Sequence, residues 1–199
     1  EHRLRCSRLC YACFCCSVCC FAFRSAYSLF PWWCRRDLCA KLLLPVLWAP
    51  SITGGADDYL RQLVEEIIPE AEKELPGPPA WRGIAGYSLA GLFALYAIYR
   101  TDVFSRVGCM SASLWFPGFK EYIFSHEPKR RPDCIYFSLG DKEAKTRNPV
   151  LKTVQENTEE IQTFYQSKGI DTVFQLNPGN HFVQGIERTA AGIQWLLNR

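Results

Sequence analysis

Three short segments hold residues whose types and spacing could do chemistry together. Gly86-Tyr-Ser-Leu-Ala-Gly91 sets a serine between one apolar run, Trp81 to Tyr87, and a small-residue run, Leu89 to Tyr99. A serine nucleophile at a strand-to-helix turn needs a strained backbone and small residues two positions to either side, or strand and helix collide. Gly86 and Ala90 meet that requirement and Gly91 adds clearance, although Ala90 stands where glycine is more common. A helix starting behind Ser88 would aim N–H groups and its positive dipole end at a developing oxyanion, with the Leu89 N–H as one donor. Tyr87, beside the nucleophile, is expected among the groups that meet substrate. The plainer alternative is a serine that N-caps an ordinary helix.

The second segment is Gly140-Asp-Lys-Glu143, directly after the apolar run Cys134 to Leu139. An acid there could orient an imidazole and stabilise its cation, and Asp141 and Glu143 are both placed for that role. The competing reading is a surface pair with Lys142 or Lys145, which is worth little. The third segment is Asn177-Pro-Gly-Asn-His181. The chain has three histidines; His2 lies in an atypical start, and His126 lies in the polar run Ser125-His-Glu-Pro-Lys-Arg-Arg. His181 follows both other segments, in the order serine, acid, histidine that α/β-hydrolases use.

These loops need a scaffold. Asp57 or Asp58 can cap a helix whose Leu60, Leu63, Val64, Ile67 and Ile68 share one face, with Pro69 bending or ending it. Strands are expected at Trp81–Tyr87, Arg106–Met110, Cys134–Leu139 and Thr172–Leu176. Helices are expected over Leu89–Tyr99, Pro149–Gln166 and Phe182–Leu197, and the segment from Phe116 to Arg131 as a partial lid. Strands alternating with helices imply an α/β protein with a mostly parallel sheet covered on both faces. In such a sheet the loops leaving the carboxyl ends of the strands line the ligand crevice, where all three segments would fall.

The chain divides by composition. Nine of its eleven cysteines precede residue 40, and residues 1–39 carry a net charge of +4 within a total of +3. The remainder, near −1, gives no reason to expect nucleic acid or a membrane surface as partner. Cys109 and Cys134, alone in apolar runs, read as buried thiols in a reducing, cytoplasmic compartment. The run Tyr11 to Phe23 is too short for a bilayer span, and as a signal peptide it lacks a clean cleavage site. Cys10, Cys13, Cys16 and Cys19 recur every three residues, but without histidine or acid among them they make a poor metal site. Residues 1–41 are therefore expected to lie outside the fold, as a Cys/Arg-rich segment without strand alternation, and residues 42–199 to form the domain.

From about Trp48 onward the sequence resembles the putative-esterase branch of the α/β-hydrolases, which includes esterase D-like enzymes and siderophore esterases. The resemblance rests on Gly86-Tyr-Ser-Leu-Ala-Gly-Leu-Phe-Ala-Leu, Ser111-Ala-Ser-Leu-Trp-Phe-Pro-Gly, Tyr136-Phe-Ser-Leu-Gly-Asp-Lys-Glu and Gly179-Asn-His. It implies an α/β-hydrolase fold whose N-terminal strands are missing or atypical here. It also implies a serine esterase acting on small-molecule carboxylic esters without metal or organic cofactor, with Ser88 as nucleophile and His181 as base. Glu143 is preferred over Asp141 as the acid, and Trp115 would line the acyl or alcohol pocket. In the family, a loop after an early strand gives the second oxyanion N–H; here that region falls within residues 1–50. The alternative is a non-catalytic or vestigial protein of the same fold.

Overall fold

Four apolar runs become parallel strands, and the stretches before, between and after them supply the helices that cover both faces. The computed structural model describes residues 18–23 (backbone only), 55–73 and 75–199. The sheet runs in the order β1 (Val18–Phe23), β2 (Trp81–Tyr87), β3 (Arg106–Met110), β4 (Cys134–Gly140), β5 (Asp171–Asn177). Strands β2 to β5 are parallel, with Gly86 opposite Cys109, Cys109 opposite Phe137, and Phe137 opposite Phe174. Strand β1 is antiparallel to β2, with Val18 opposite Gly86 and Phe23 opposite Trp81. The sequence predicts no element within residues 1–41, so this strand departs from that expectation. A short continuous apolar run can serve as a strand without alternation, which is why periodicity misses it. The other residues of that segment, including Cys10, Cys13 and Cys16, lie outside the described residues.

Alternate residues of strands β2 to β5 feed different cores, as the pleat requires. Ile84, Val107, Cys109, Ile135 and Phe137 belong to the larger one, with buried residues of α1 (56–72), α2 (Leu89–Arg100) and α4 (Val154–Ser167). Ala85, Met110, Cys134 and Tyr136 form the smaller core with Leu196 of α5 (Gly185–Leu197). All seven residues of the interior strand β4 are buried. Cys109 and Cys134 are buried free thiols, and burial pushes the Cys134 thiol up to about 11.

Helix α1 buries Leu60, Leu63 and Ile68 as its apolar spacing requires. Its middle, Leu63–Ile67, widens into a π-turn just before Pro69. Proline offers no N–H to the carbonyl four residues earlier and crowds it, and the wider turn relieves both. Neither aspartate caps this helix: Gly55 occupies the N-cap. Asp57 instead accepts from the Tyr96 hydroxyl at 2.8 Å and from Arg100 at 3.1 Å, tying α1 to α2. The expected partial lid holds a helix of its own, α3 (Phe119–Ser125). Phe119 and Ile123 of α3 are buried in the larger core, which anchors the middle of that segment.

Candidate active site

Ser88 joins β2 to α2 in a backbone conformation costly for a residue with a side chain, φ 61° and ψ −125°. Surrounding chain holds it there. Its N–H donates to Met110 O at 3.1 Å, and its carbonyl accepts from the N–H groups of Gly91, Leu92 and Ser113. The small neighbours are required sterically. A Cβ on Gly86 would run into the Ala90 carbonyl, and one on Gly91 would sit 2.7 Å from the Ala112 Cβ. Although Ser88 stands at the N-cap position, its side chain makes no capping bond. Its Oγ lies 3.1 Å from His181 Nε2 instead. Leu89 is the first residue of α2, and first-turn N–H groups have no partner within their helix.

His181 Nδ1 is 2.7 Å from Glu143 Oε2. An ionised carboxylate can only accept, so that contact puts the proton on Nδ1 and leaves Nε2 free to accept from Ser88. Glu143 is nearly buried, with 5% of its side chain exposed. Its second oxygen, Oε1, accepts from the Gly140 N–H at 2.7 Å, Ser111 Oγ at 2.8 Å and Arg188 Nη1 at 3.0 Å. Burial alone would raise the Glu143 pKa, but the hydrogen bonds from His181, Gly140, Ser111 and Arg188 outweigh it and hold the carboxyl below its ordinary value.

Of the two candidate acids, it is Glu143 that touches the imidazole. Asp141 Oδ1 accepts the Gly179 N–H at 2.8 Å, and the Asp141 and Lys142 N–H groups bond Asn177 O and Gly179 O. Asp141 thus stitches the acid turn to the histidine loop. A Cβ on Gly140 would strike the Gly179 carbonyl, so the loops abut at backbone distance.

Tyr87 donates its hydroxyl to the His181 carbonyl oxygen at 2.6 Å, which commits its single O–H proton within the protein. Trp115 lies half-buried on the loop after β3, whose Ser113 N–H reaches the Ser88 carbonyl. It lines a shallow cavity of about 410 Å³ with Phe116, Pro149, Val150 and Asn157. The region expected to give the second oxyanion donor lies, β1 apart, outside the described residues up to residue 50.

Two members of this cluster were not anticipated. Arg188 is seven positions past His181 and has no motif around it, while Ser111 opens a run quoted above only for its resemblance. Among the described residues, four loops and one helix thus bring Ser88, Ser111, Glu143, His181 and Arg188 into one connected network.

Residues 48–185 match the family model described as putative esterase, more than two thirds of the chain. The chain belongs to the putative esterase family. Among curated proteins, this esterase-family chain is similar to Bacillus subtilis (strain 168) uncharacterized protein YbbA, at 25% identity over 119 residues. That match covers 58% of this chain and 48% of the other. Among solved structures it resembles an IroE-like serine hydrolase from Shewanella oneidensis, with TM-score 0.59 and 21% identity, covering 73% of this chain and 49% of that one. It also resembles the enterobactin esterase FES from Shigella flexneri, with TM-score 0.55 and 18% identity, covering 71% of this chain and 38% of that one. At these identities the likeness is one of fold, and the fold is of the α/β-hydrolase type. The chain spans about half the length of the curated relative it matches. Among the described residues, no helix is long and apolar enough to cross a membrane.

Proposed function

We propose that this protein is a serine esterase that hydrolyses small-molecule carboxylic esters through an acyl-enzyme intermediate. The observation that carries the reading is the continuous chain Ser88 Oγ, His181, Glu143, with links of 3.1 and 2.7 Å. Ser88 Oγ attacks the ester carbonyl carbon while its proton passes to His181 Nε2. The tetrahedral oxyanion is held by the Leu89 N–H and the N-terminal end of α2. As the C–O bond to the leaving alcohol breaks, His181 returns the proton to that oxygen. Water, deprotonated by the same imidazole, then releases the carboxylic acid and restores Ser88. Glu143 stabilises the imidazolium formed in each half-reaction.

The fold shared with an enterobactin esterase makes siderophore-type esters the first natural class to try. The free buried thiols Cys109 and Cys134 are those of a chain kept in a reducing compartment, and we place the enzyme in the cytoplasm.

The test is hydrolysis of p-nitrophenyl acetate and butyrate by the full chain beside Ser88→Ala, with fluorophosphonate labelling of both. Turnover and labelling in the parent, both absent from Ser88→Ala, are expected. A folded parent that neither turns over nor labels would replace this reading with a non-catalytic member of the fold.

A further inference from the structure

Arg188 is the only charged side chain fully buried among the described residues, at 3% exposure, and the reaction above gives it no part. Its guanidinium is satisfied almost entirely by the active-site loops. Nη1 donates to Ser111 Oγ at 2.9 Å and Glu143 Oε1 at 3.0 Å. Nη2 donates to the carbonyls of Asn180 at 2.9 Å and Val183 at 2.6 Å, with a weaker reach to His181 O at 3.4 Å. The Tyr87 ring lies 5.5 Å from its centre. One side chain on α5 thereby grips the loop after β3, the turn after β4 and the histidine loop after β5.

The division of donors at Glu143 is the telling feature. Three of them, Gly140 N–H, Ser111 Oγ and Arg188 Nη1, converge on Oε1, and Oε2 is left for His181. A carboxylate pinned on one oxygen cannot rotate its other oxygen away from the imidazole. Ser111 relays the same contact, accepting from Arg188 while donating to Glu143. Its backbone φ of 44° puts a non-glycine residue in the left-handed region. For packing alone, an apolar side chain of similar volume would serve at least as well as a buried ion pair.

We propose that Arg188 is a positioning residue of the esterase site, holding Glu143 ionised and aimed at His181 and setting the pH at which the Glu143–His181 pair takes up a proton. The proposal rests on the esterase reading for its kinetic consequences only. The groups facing the pair are Arg188 from α5, Ser111 from the β3 loop, the Gly140 N–H, and Tyr87 from the end of β2. Asp141 is committed to the Gly179 N–H, Tyr136 of β4 bonds Gln175, and the apolar Phe182 ring stands perpendicular to the His181 ring at 5.2 Å. Arg188 is the one cation in this set, and its charge opposes protonation of its neighbours.

The experiment compares the full-length parent with Arg188→Met, Arg188→Lys and Ser111→Ala. Profiles of kcat/KM against pH are measured with p-nitrophenyl acetate, and proton uptake is followed separately by NMR of the His181 ring C–H. In Arg188→Met the acid limb, which reports the coupled pair, moves to higher pH by about one unit. The NMR midpoint moves with it, and kcat falls more than KM changes. Arg188→Lys keeps the charge and returns most of the shift. A folded Arg188→Met that loses activity while limb and midpoint stay put would reduce Arg188 to a structural role and overturn the proposal. If Arg188→Met does not fold, Ser111→Ala reads the same coupling: a smaller shift in the same direction supports it, and no shift overturns it. An inactive parent whose NMR midpoint still moves in Arg188→Met would overturn the esterase reading and leave the coupling standing.

Discussion

The Tyr87 hydroxyl meets the His181 carbonyl at 2.6 Å across 94 positions of sequence, so the residue before Ser88 holds the residue whose imidazole reaches Ser88 Oγ. Tyr87→Phe removes that bond and keeps the ring, which stands 5.3 Å from the imidazole. One net hydrogen bond is worth about 0.5–1.5 kcal/mol. Ester hydrolysis in Tyr87→Phe is therefore expected to fall by roughly tenfold or less, with a modest loss of Tm. An unchanged kcat would mean that the histidine loop does not depend on this tie.

Glu143 and Asp141 are separated by exchanging each for its amide. Glu143→Gln removes the negative charge beside His181 and leaves Arg188 buried without a counter-ion. Activity is expected to drop by up to about 10⁴-fold, and stability by about 3–5 kcal/mol. Asn at position 141 can still accept from the Gly179 N–H, so Asp141→Asn should cost under about 1 kcal/mol and leave most activity. Equal losses from the two would remove the distinction between them. Chemical denaturation and kinetics on both variants decide it.

The depressed pKa of Glu143 links stability to pH. A carboxyl held lower in the folded state stabilises the protein above its unfolded value, 4.5, and that contribution is lost as pH falls through the folded value. Urea midpoints measured from pH 7 down to pH 3 should thus converge for parent and Glu143→Gln below about pH 4.5. Parallel curves with no convergence would show that Glu143 protonates alike in both states.

Gly86→Ala tests the tight turn. The new Cβ would meet the Ala90 carbonyl, which is backbone and cannot rotate aside. Strand and helix must separate, at a cost of about 1–3 kcal/mol, and Ser88 moves with them. Activity should fall further than stability alone accounts for. A fully active Gly86→Ala would mean that the turn has slack that its geometry does not suggest.

The four parallel strands were readable because each is a short apolar run bounded by turn residues. The helices followed from apolar spacing, within a turn at their ends except at the start of α4, which lies at Val154 rather than Pro149. Two elements escaped for definite reasons. Strand β1 lies in a cysteine-rich run without alternation, and α3 is seven residues long, too short for periodicity to show. The capping role given to Asp57 failed because tertiary partners, Tyr96 and Arg100, outcompete a local backbone bond.

The sequence by itself determined which residues could react and in what order they come: Ser88 between a strand and a helix, an acid pair after β4, His181 before the last helix. Those features are local, since strand, turn and helix propensities act over a few neighbouring residues. Only the tertiary structure decided which acid faces the imidazole, because Asp141 and Glu143 stand two residues apart in one turn and differ only in direction. It also decided that Ser111 and Arg188 belong to the site. Their types and spacing carry no signal, and their partners lie 77 and 45 positions away for Arg188 and 32 for Ser111 with Glu143. A buried charge becomes meaningful only when the fold shows what neutralises it.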